Sequence, residues 1–263
     1  MSETYEVLAL RYATRATTAS EVYLNYQIYG EADYPLVMDY FFWVLRNNNR
    51  VIVVDTGFTP EVGEPRGRTM TCAVPQGLSH LGIDPQAVET VVVTHGHYDH
   101  TGNLGLFPES RVAMSGTELD FWTGPLGKRS QFAYSVESGD IEHLARLDDE
   151  HRVDRVSGSR VIAPGVAVVE VGGHTPGQLI VTVDGEAGPA LLASDAVHYY
   201  DEVLLDRPFL IVADLPRRYQ AFDKISRIAA EPLTSFVAGH DPEVLKRFTA
   251  IDATDTGFGV RVA

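Results

Sequence analysis

The chain has 263 residues, 44% of them hydrophobic, with 36 acidic against 21 basic side chains and a formal net charge of −15. That balance argues against a nucleic-acid surface, which needs clustered Lys and Arg, and otherwise reads as solubility. The single cysteine, Cys72, excludes an internal disulfide framework and fits a reducing compartment, and no run of about 18 apolar residues is present to span a membrane. The opening MSETYEVLALRYATR carries an acid early and lacks the basic start and apolar stretch of a secretory signal. The expectation is one domain over residues 1–263, soluble and cytoplasmic, with enough apolar content to fill a core.

Strand signals come first along the chain. Residues 40–45 and 51–55 are β-rich runs flanking Asn47-Asn48-Asn49, which predicts a hairpin. Residues 59–68, rich in Pro, Gly and Glu, read as a loop, and residues 68–81 as a weak helix. Residues 88–93 predict a buried strand running into Thr94 and His95. Residues 116–122 and 140–147 are helical stretches. Between them GPLGKRS (residues 124–130) has a superficial look of a phosphate loop, but its glycine spacing is wrong and no strand leads into it. Residues 166–171, 179–183 and 191–193 predict further strands, each followed by a turn. The strongest helix covers residues 216–231, with Asp214 near its start, Pro216 in its first turn and Tyr219, Phe222, Ile225, Ile228 and Ala229 on one face. Strands interleaved with helices predict an α/β protein, two mixed β-sheets packed face to face and flanked by helices.

Chemistry concentrates in Thr94-His95-Gly96-His97-Tyr98-Asp99-His100, where four potential metal ligands follow an apolar strand within six residues. Alternation along an extended segment points His95 and His97 the same way. A turn after them can present Asp99 and His100 to a neighbouring ion. Imidazole and carboxylate suit Zn²⁺ and related first-row metals.

This motif resembles the His-x-His-x-Asp-His signature of the metallo-β-lactamase superfamily, whose fold is a four-layer αββα sandwich. The resemblance extends to Gly173-His174-Thr175-Pro176-Gly177, to Asp195 in Leu192-Ala193-Ser194-Asp195, and to His240 in Ala238-Gly239-His240-Asp241. It implies one divalent metal on His95, His97 and His174, a second on Asp99, His100 and His240, and Asp195 bridging them. Zinc is the first expectation, with iron, manganese or cobalt as alternatives. Asp55, in Asp55-Thr56-Gly57, matches a turn beneath the site that orients a ligand.

Two ions about 3.5–4 Å apart lower the pKa of a shared water and polarise a carbonyl, so the implied reaction is hydrolysis. Asp99 is the candidate proton carrier to the leaving group. No Gly-x-Ser-x-Gly elbow supports a serine triad. Within the superfamily the chain is most similar to the N-acyl-homoserine-lactone lactonases. In that branch a Tyr three residues after the bridging Asp polarises the lactone carbonyl. Here His198 holds that place, followed by Tyr199 and Tyr200, and either the imidazole or the Tyr199 phenol can donate the same hydrogen bond.

The expected function is opening of a cyclic ester, with a small molecule as substrate and the oligomeric state open between monomer and dimer. A cyclic amide or imide hydrolase of a catabolic pathway is the second reading and a glyoxalase II-like thioesterase, sharing all seven ligands, the third. A metal-binding or regulatory protein with a vestigial site stands apart from these. Phe121, Trp122, Phe132 and Tyr134, and less so Phe41, Phe42 and Trp43, are candidates to line a pocket, with the core as their alternative. Lys128 and Arg129 read as solvated surface rather than a carboxylate site.

Overall fold

Side-chain alternation along the first strand decides the layering. On β1 (Glu6–Thr18), Val7 and Ala9 join one buried cluster while Leu8 and Leu10 join another on the opposite face. β2 (Pro35–Arg46) repeats the division, with Phe41, Trp43 and Leu45 on the first side and Phe42 and Val44 on the second. A sheet apolar on both faces must be covered on both. The computed structural model, which describes residues 3–252 and 254–263, shows how. The first two residues of the opening segment, and residue 253, lie outside that range.

Among the described residues fourteen strands form two mixed sheets. After β1 and β2 come β3 (Val51–Val54), β4 (Thr69–Met70), β5 (Thr90–Val92), β6 (Arg111–Ser115) and β7 (Val153–Val156), then β8 (Ser159–Ala163), β9 (Val166–Glu170), β10 (Leu179–Gly185), β11 (Gly188–Leu192), β12 (Ser235–Val237), β13 (Thr249–Asp252) and β14 (Asp255–Arg261). The larger sheet runs β13-β14-β1-β2-β3-β5-β6-β7, with β4 paired to β1; the smaller runs β12-β11-β10-β9-β8. The helices Val74–His80, Gly116–Thr123 and Ser138–Asp149 contribute Leu78, Leu119 and Leu144 to the outer face of the larger sheet. The helix Leu215–Ala229 places Ala221, Phe222 and Ile225 in the cluster that holds Leu179, Ile180 and Val181, three consecutive buried residues of β10. Helix, sheet, sheet, helix is the αββα order.

Most predicted elements are present within a few residues. The Asn47 Oδ1 accepts from the backbone of Asn49 at 2.9 Å and of Arg50 at 3.0 Å, closing the hairpin between β2 and β3. Asp214 caps the long helix by accepting from Arg217 N at 3.0 Å. Two expectations shift. Residues 59–68 hold two short helical turns, Pro60–Gly63 and Glu64–Arg66, each with a proline at its start. The weak helix of residues 68–81 begins only at Val74, since Thr69 and Met70 pair with Thr14 and Ala13 of β1. No described helix is long and apolar enough to cross a membrane.

What positions the site is the parallel pairing in each sheet. β3 lies parallel to β5 with Val54 opposite Val92, and β11 parallel to β12 with Leu192 opposite Val237. The carboxyl ends of all four strands therefore open on one edge of the sandwich, where α/β folds bind ligands. Thr94 and Ser194, just beyond two of those ends, join the sheets through a hydroxyl contact of 2.8 Å.

Candidate metal centre

At that edge the chain packs side chains that physics keeps apart unless something compensates. His95, His97, Asp99, His100, His174, Asp195, His198 and His240 are all buried. Ligand atoms of His95, His97, His174 and Asp195 lie within 4.8 Å of one another, as do those of Asp99, His100 and His240, and those of Asp195, His198 and His240. Asp195 is the hub: its carboxylate oxygens lie 3.0 Å from His198 Nε2 and His240 Nε2, 3.2 Å from His100 Nε2, 3.3 Å from His174 Nε2 and 3.7 Å from His95 Nε2.

Backbone geometry delivers these groups. His95 and His97 follow β5, His97 in extended backbone, and one helical turn, Tyr98–Thr101, carries Asp99 and His100. Gly96 between them is required, because a Cβ there would lie 2.4 Å from the Trp122 ring. Gly239 is required likewise: a Cβ would meet the Ser194 carbonyl oxygen at 2.5 Å, and the His240 turn packs against the Asp195 turn without it. Asp55 (φ 59) and Ser194 (φ 46) hold left-handed backbone at the floor of the cluster, a strain that persists where surroundings over-determine it.

The outer nitrogens fix the ring orientations. His174 Nδ1 meets Ile211 O at 2.9 Å, His240 Nδ1 meets Asp39 O at 2.8 Å, and His100 Nδ1 meets Asp55 Oδ2 at 2.8 Å. Each acceptor calls for a proton on Nδ1 and turns an Nε2 lone pair into the cluster. Asp55 itself is held by Thr94 N and Thr94 Oγ1, both at 2.8 Å, the supporting position expected of it. His95 Nε2 and His100 Nε2 are buried without a hydrogen-bond partner among the described residues. Unpaired buried acceptors are costly, and a cation is the partner they fit.

Electrostatics points the same way. Burial depresses His95 and His174 well below the ordinary imidazole value and His97 to about 4, keeping them in the neutral form that binds metals. Burial opposes charge at His100 too, but Asp195, Asp55 and Asp99 outweigh it and raise that imidazole well above its usual range. Anionic charge thus concentrates around His100, and divalent cations would neutralise it.

Three functional neighbours went unassigned in the sequence reading. Glu118 is fully buried; its Oε1 accepts from Gly96 N at 3.0 Å and Trp122 Nε1 at 2.5 Å, and its Oε2 from Gly177 N at 2.7 Å. It ties the His95–His97 segment to the turn carrying His174. Its only sequence trace is the four-residue spacing to Trp122 on one helix face. Glu118→Gln should weaken metal affinity about 10–100-fold, as removal of a ligand-orienting contact does; competition with a chelator measures it. Glu202 and Arg218, both fully buried and 2.6 Å apart, close around His198: Glu202 Oε1 lies 3.1 Å and Arg218 Nη2 3.0 Å from its Nδ1.

Tyr199 is not brought to the cluster. Its hydroxyl donates to Val37 O at 3.0 Å, and its ring packs near Tyr23. The helix Tyr200–Leu204 starts directly after it, and that change of backbone direction separates it from His198, whose ring stacks on Phe209 at 3.7 Å. A cavity of about 400 Å³ opens over the cluster, lined by His97, Asp99, His174, Asp195, His198 and His240. Phe121, Trp122, Phe132 and Tyr134 line a smaller one of about 210 Å³ beside His97 and His174. Phe41, Phe42 and Trp43 are core, and Lys128 and Arg129 are exposed.

Known proteins agree with this architecture. N-acyl homoserine lactonase AiiB of Agrobacterium fabrum is 32% identical over 176 residues, 59% of this chain and 62% of the relative, so under two thirds of that relative's length is matched. N-acyl homoserine lactonase AttM of Azorhizobium caulinodans is 25% identical over 246 residues, 82% of this chain and 86% of the relative. The crystal structure of a quorum-quenching N-acyl homoserine lactone lactonase superposes with a TM-score of 0.77 over 92% of this chain and 95% of the other, at 20% identity, a likeness of fold. The family model of the metallo-β-lactamase superfamily matches residues 39–249, a span from the strand residue whose carbonyl meets His240 to beyond His240 itself. The chain belongs to the metallo-β-lactamase superfamily.

Proposed function

We propose that this chain, acting as one domain over residues 1–263, is a dinuclear metal-dependent hydrolase that opens a lactone. The observation that carries the reading is the convergence of His95, His97, Asp99, His100, His174, Asp195 and His240 on one edge of the sandwich, beneath a cavity of small-molecule size. Zinc is the favoured metal on the donor set, and a cytoplasmic location accords with the single cysteine. Two such ions, held by those seven side chains, would supply Lewis-acid polarisation of the ring carbonyl and an activated water at neutral pH.

The side chains do the rest. Asp99 lines the cavity and its backbone carbonyl is pinned by the Tyr12 hydroxyl at 2.8 Å. Its carboxylate makes no side-chain hydrogen bond among the described residues and lies 3.7 Å from His100 Nε2 and 3.9 Å from His240 Nε2. Its role in this reading is to carry the proton to the departing ring oxygen. His198, also lining the cavity, donates to the carbonyl oxygen in the role filled by tyrosine in the lactonase branch. The similarity to AiiB and AttM supports a lactone over the other electrophiles.

The test is a panel of lactones, cyclic imides and thioesters on metal-replete enzyme. Lactones should be turned over fastest. Asp99→Asn should lower kcat by about 10²–10⁴-fold with metal content kept, and His198→Phe should cost less. Preferential turnover of imides or thioesters overturns the lactonase assignment, and wild-type kcat in a metal-loaded Asp99→Asn overturns the proton role.

A further inference from the structure

The outer part of the main cavity is cationic in a chain that is otherwise strongly acidic. Arg15, Arg66 and Arg68 line it together with Glu21. Arg66 is occupied: it pairs with Glu137, donates to Tyr134 O at 3.1 Å and lies over the Tyr98 ring at 4.3 Å. The other two arginines are different. Arg68 donates from Nε to the Tyr98 hydroxyl at 3.0 Å and from Nη1 to Arg66 O, and its Nη2 has no acceptor among the described residues. Arg15 donates from Nη2 to Thr17 Oγ1 at 2.9 Å, and its buried Nε has no partner.

Neither Arg15 nor Arg68 has a carboxylate partner among the described residues, and neither is exposed. Every other arginine of the described residues that is not exposed has a carboxylate within 3.8 Å: Arg11, Arg46, Arg50, Arg66, Arg152, Arg207, Arg217 and Arg218. With 36 acids available to 21 bases, two partly buried guanidiniums left unpaired at one cavity mouth are not a shortage of partners. A half-desolvated guanidinium is stabilised by a fork-shaped anion, which it binds with two parallel donors. Tyr98, which orients Arg68, directly precedes Asp99, so the anion-binding groups and the proton carrier share one turn of backbone.

We propose that the substrate is a lactone bearing a carboxylate, its ring over the metal cluster and its carboxylate between Arg15 and Arg68. This rests on the lactonase reading above. Glu21, which accepts from Thr17 Oγ1 at 2.9 Å, sets the charge of the anion. Two guanidiniums against one carboxylate leave one net positive charge, matching a carboxylate rather than a dianionic phosphate.

The experiment compares γ-butyrolactone-γ-carboxylate with its methyl ester on metal-loaded enzyme. The carboxylate should have the higher kcat/KM by about tenfold or more, carried by KM. In Arg68→Gln and in Arg15→Gln that ratio should collapse towards one, and added salt should erode it in the wild type. Equal kcat/KM for the two compounds, or a ratio that the variants leave in place, overturns the proposal. Calorimetric binding of cyclopentanecarboxylate, which has no bond to hydrolyse, separates this from failure of the lactonase reading. If neither lactone is turned over but cyclopentanecarboxylate binding is lost in Arg68→Gln, the anion site stands and the lactonase assignment falls. If the methyl ester is hydrolysed equally well and cyclopentanecarboxylate binding ignores both arginines, the reverse holds.

Discussion

Asp195→Asn should strip the centre of metal and lower turnover on the order of 10³-fold or more. The reason lies in how many neighbours depend on one carboxylate. Five imidazole nitrogens face it at 3.0–3.7 Å. Burial works against its charge, yet the His198, His240, His100 and His95 rings hold the carboxyl well below the ordinary range. Asparagine keeps the shape but removes the charge, and its amide hydrogens face nitrogens that need a cation. Elemental analysis after dialysis should find bound metal falling from the two ions per chain proposed for the wild type to one or fewer. The thermal transition in the presence of chelator should fall as well, because a buried carboxyl held low by its imidazole neighbours stabilises the native state. A variant that retains two ions and wild-type turnover would remove Asp195 from the bridging position proposed for it.

The seven donors proposed for the centre were legible because each stands in a short turn with local chemistry of its own. Gly96 is demanded by Trp122, Gly239 by Ser194, and both leave marks next to a histidine in the sequence. The sandwich was legible from β-rich runs, though β1 carries Arg11, Arg15 and several threonines and presents no clean alternation; its register shift between Arg11 and Ala13 interrupts the period. The supporting groups were not legible. Glu118 touches Gly177 from 59 residues away and Arg218 touches Glu202 across 16, and no local pattern connects such pairs. The same holds for Arg15 and Arg68, whose significance is the absence of a partner, a property of the folded chain alone. Tyr199 was equivalent to His198 by sequence, and only the start of a helix parts them.

Glu202→Gln tests how the ring of His198 is held, and should destabilise the fold by about 3–5 kcal/mol, the cost of leaving one member of a buried ion pair uncompensated. Glu202 is fully buried, accepting from His198 N at 2.5 Å, Tyr199 N at 3.1 Å, Phe209 N at 2.9 Å and Arg218 Nη2 at 2.6 Å. Burial alone would raise its carboxyl. Arg218 and His198 outweigh burial and bring it from 4.5 down to about 2. A carboxyl depressed on folding binds fewer protons in the native than in the unfolded state, so its stabilisation is full above 4.5 and is lost as pH falls through about 2. That span corresponds to roughly 3 kcal/mol. Urea unfolding at neutral pH should therefore show a lower midpoint with an unchanged slope in the variant. The gap between the two proteins should narrow steadily from pH 4.5 downwards, since acid removes from the wild type the charge that glutamine never had. A gap below about 1 kcal/mol at neutral pH, the range of an exposed pair, or one that does not respond to acid, would mean that Arg218 is balanced by other groups and that His198 owes its orientation to Phe209 and Asp195 instead.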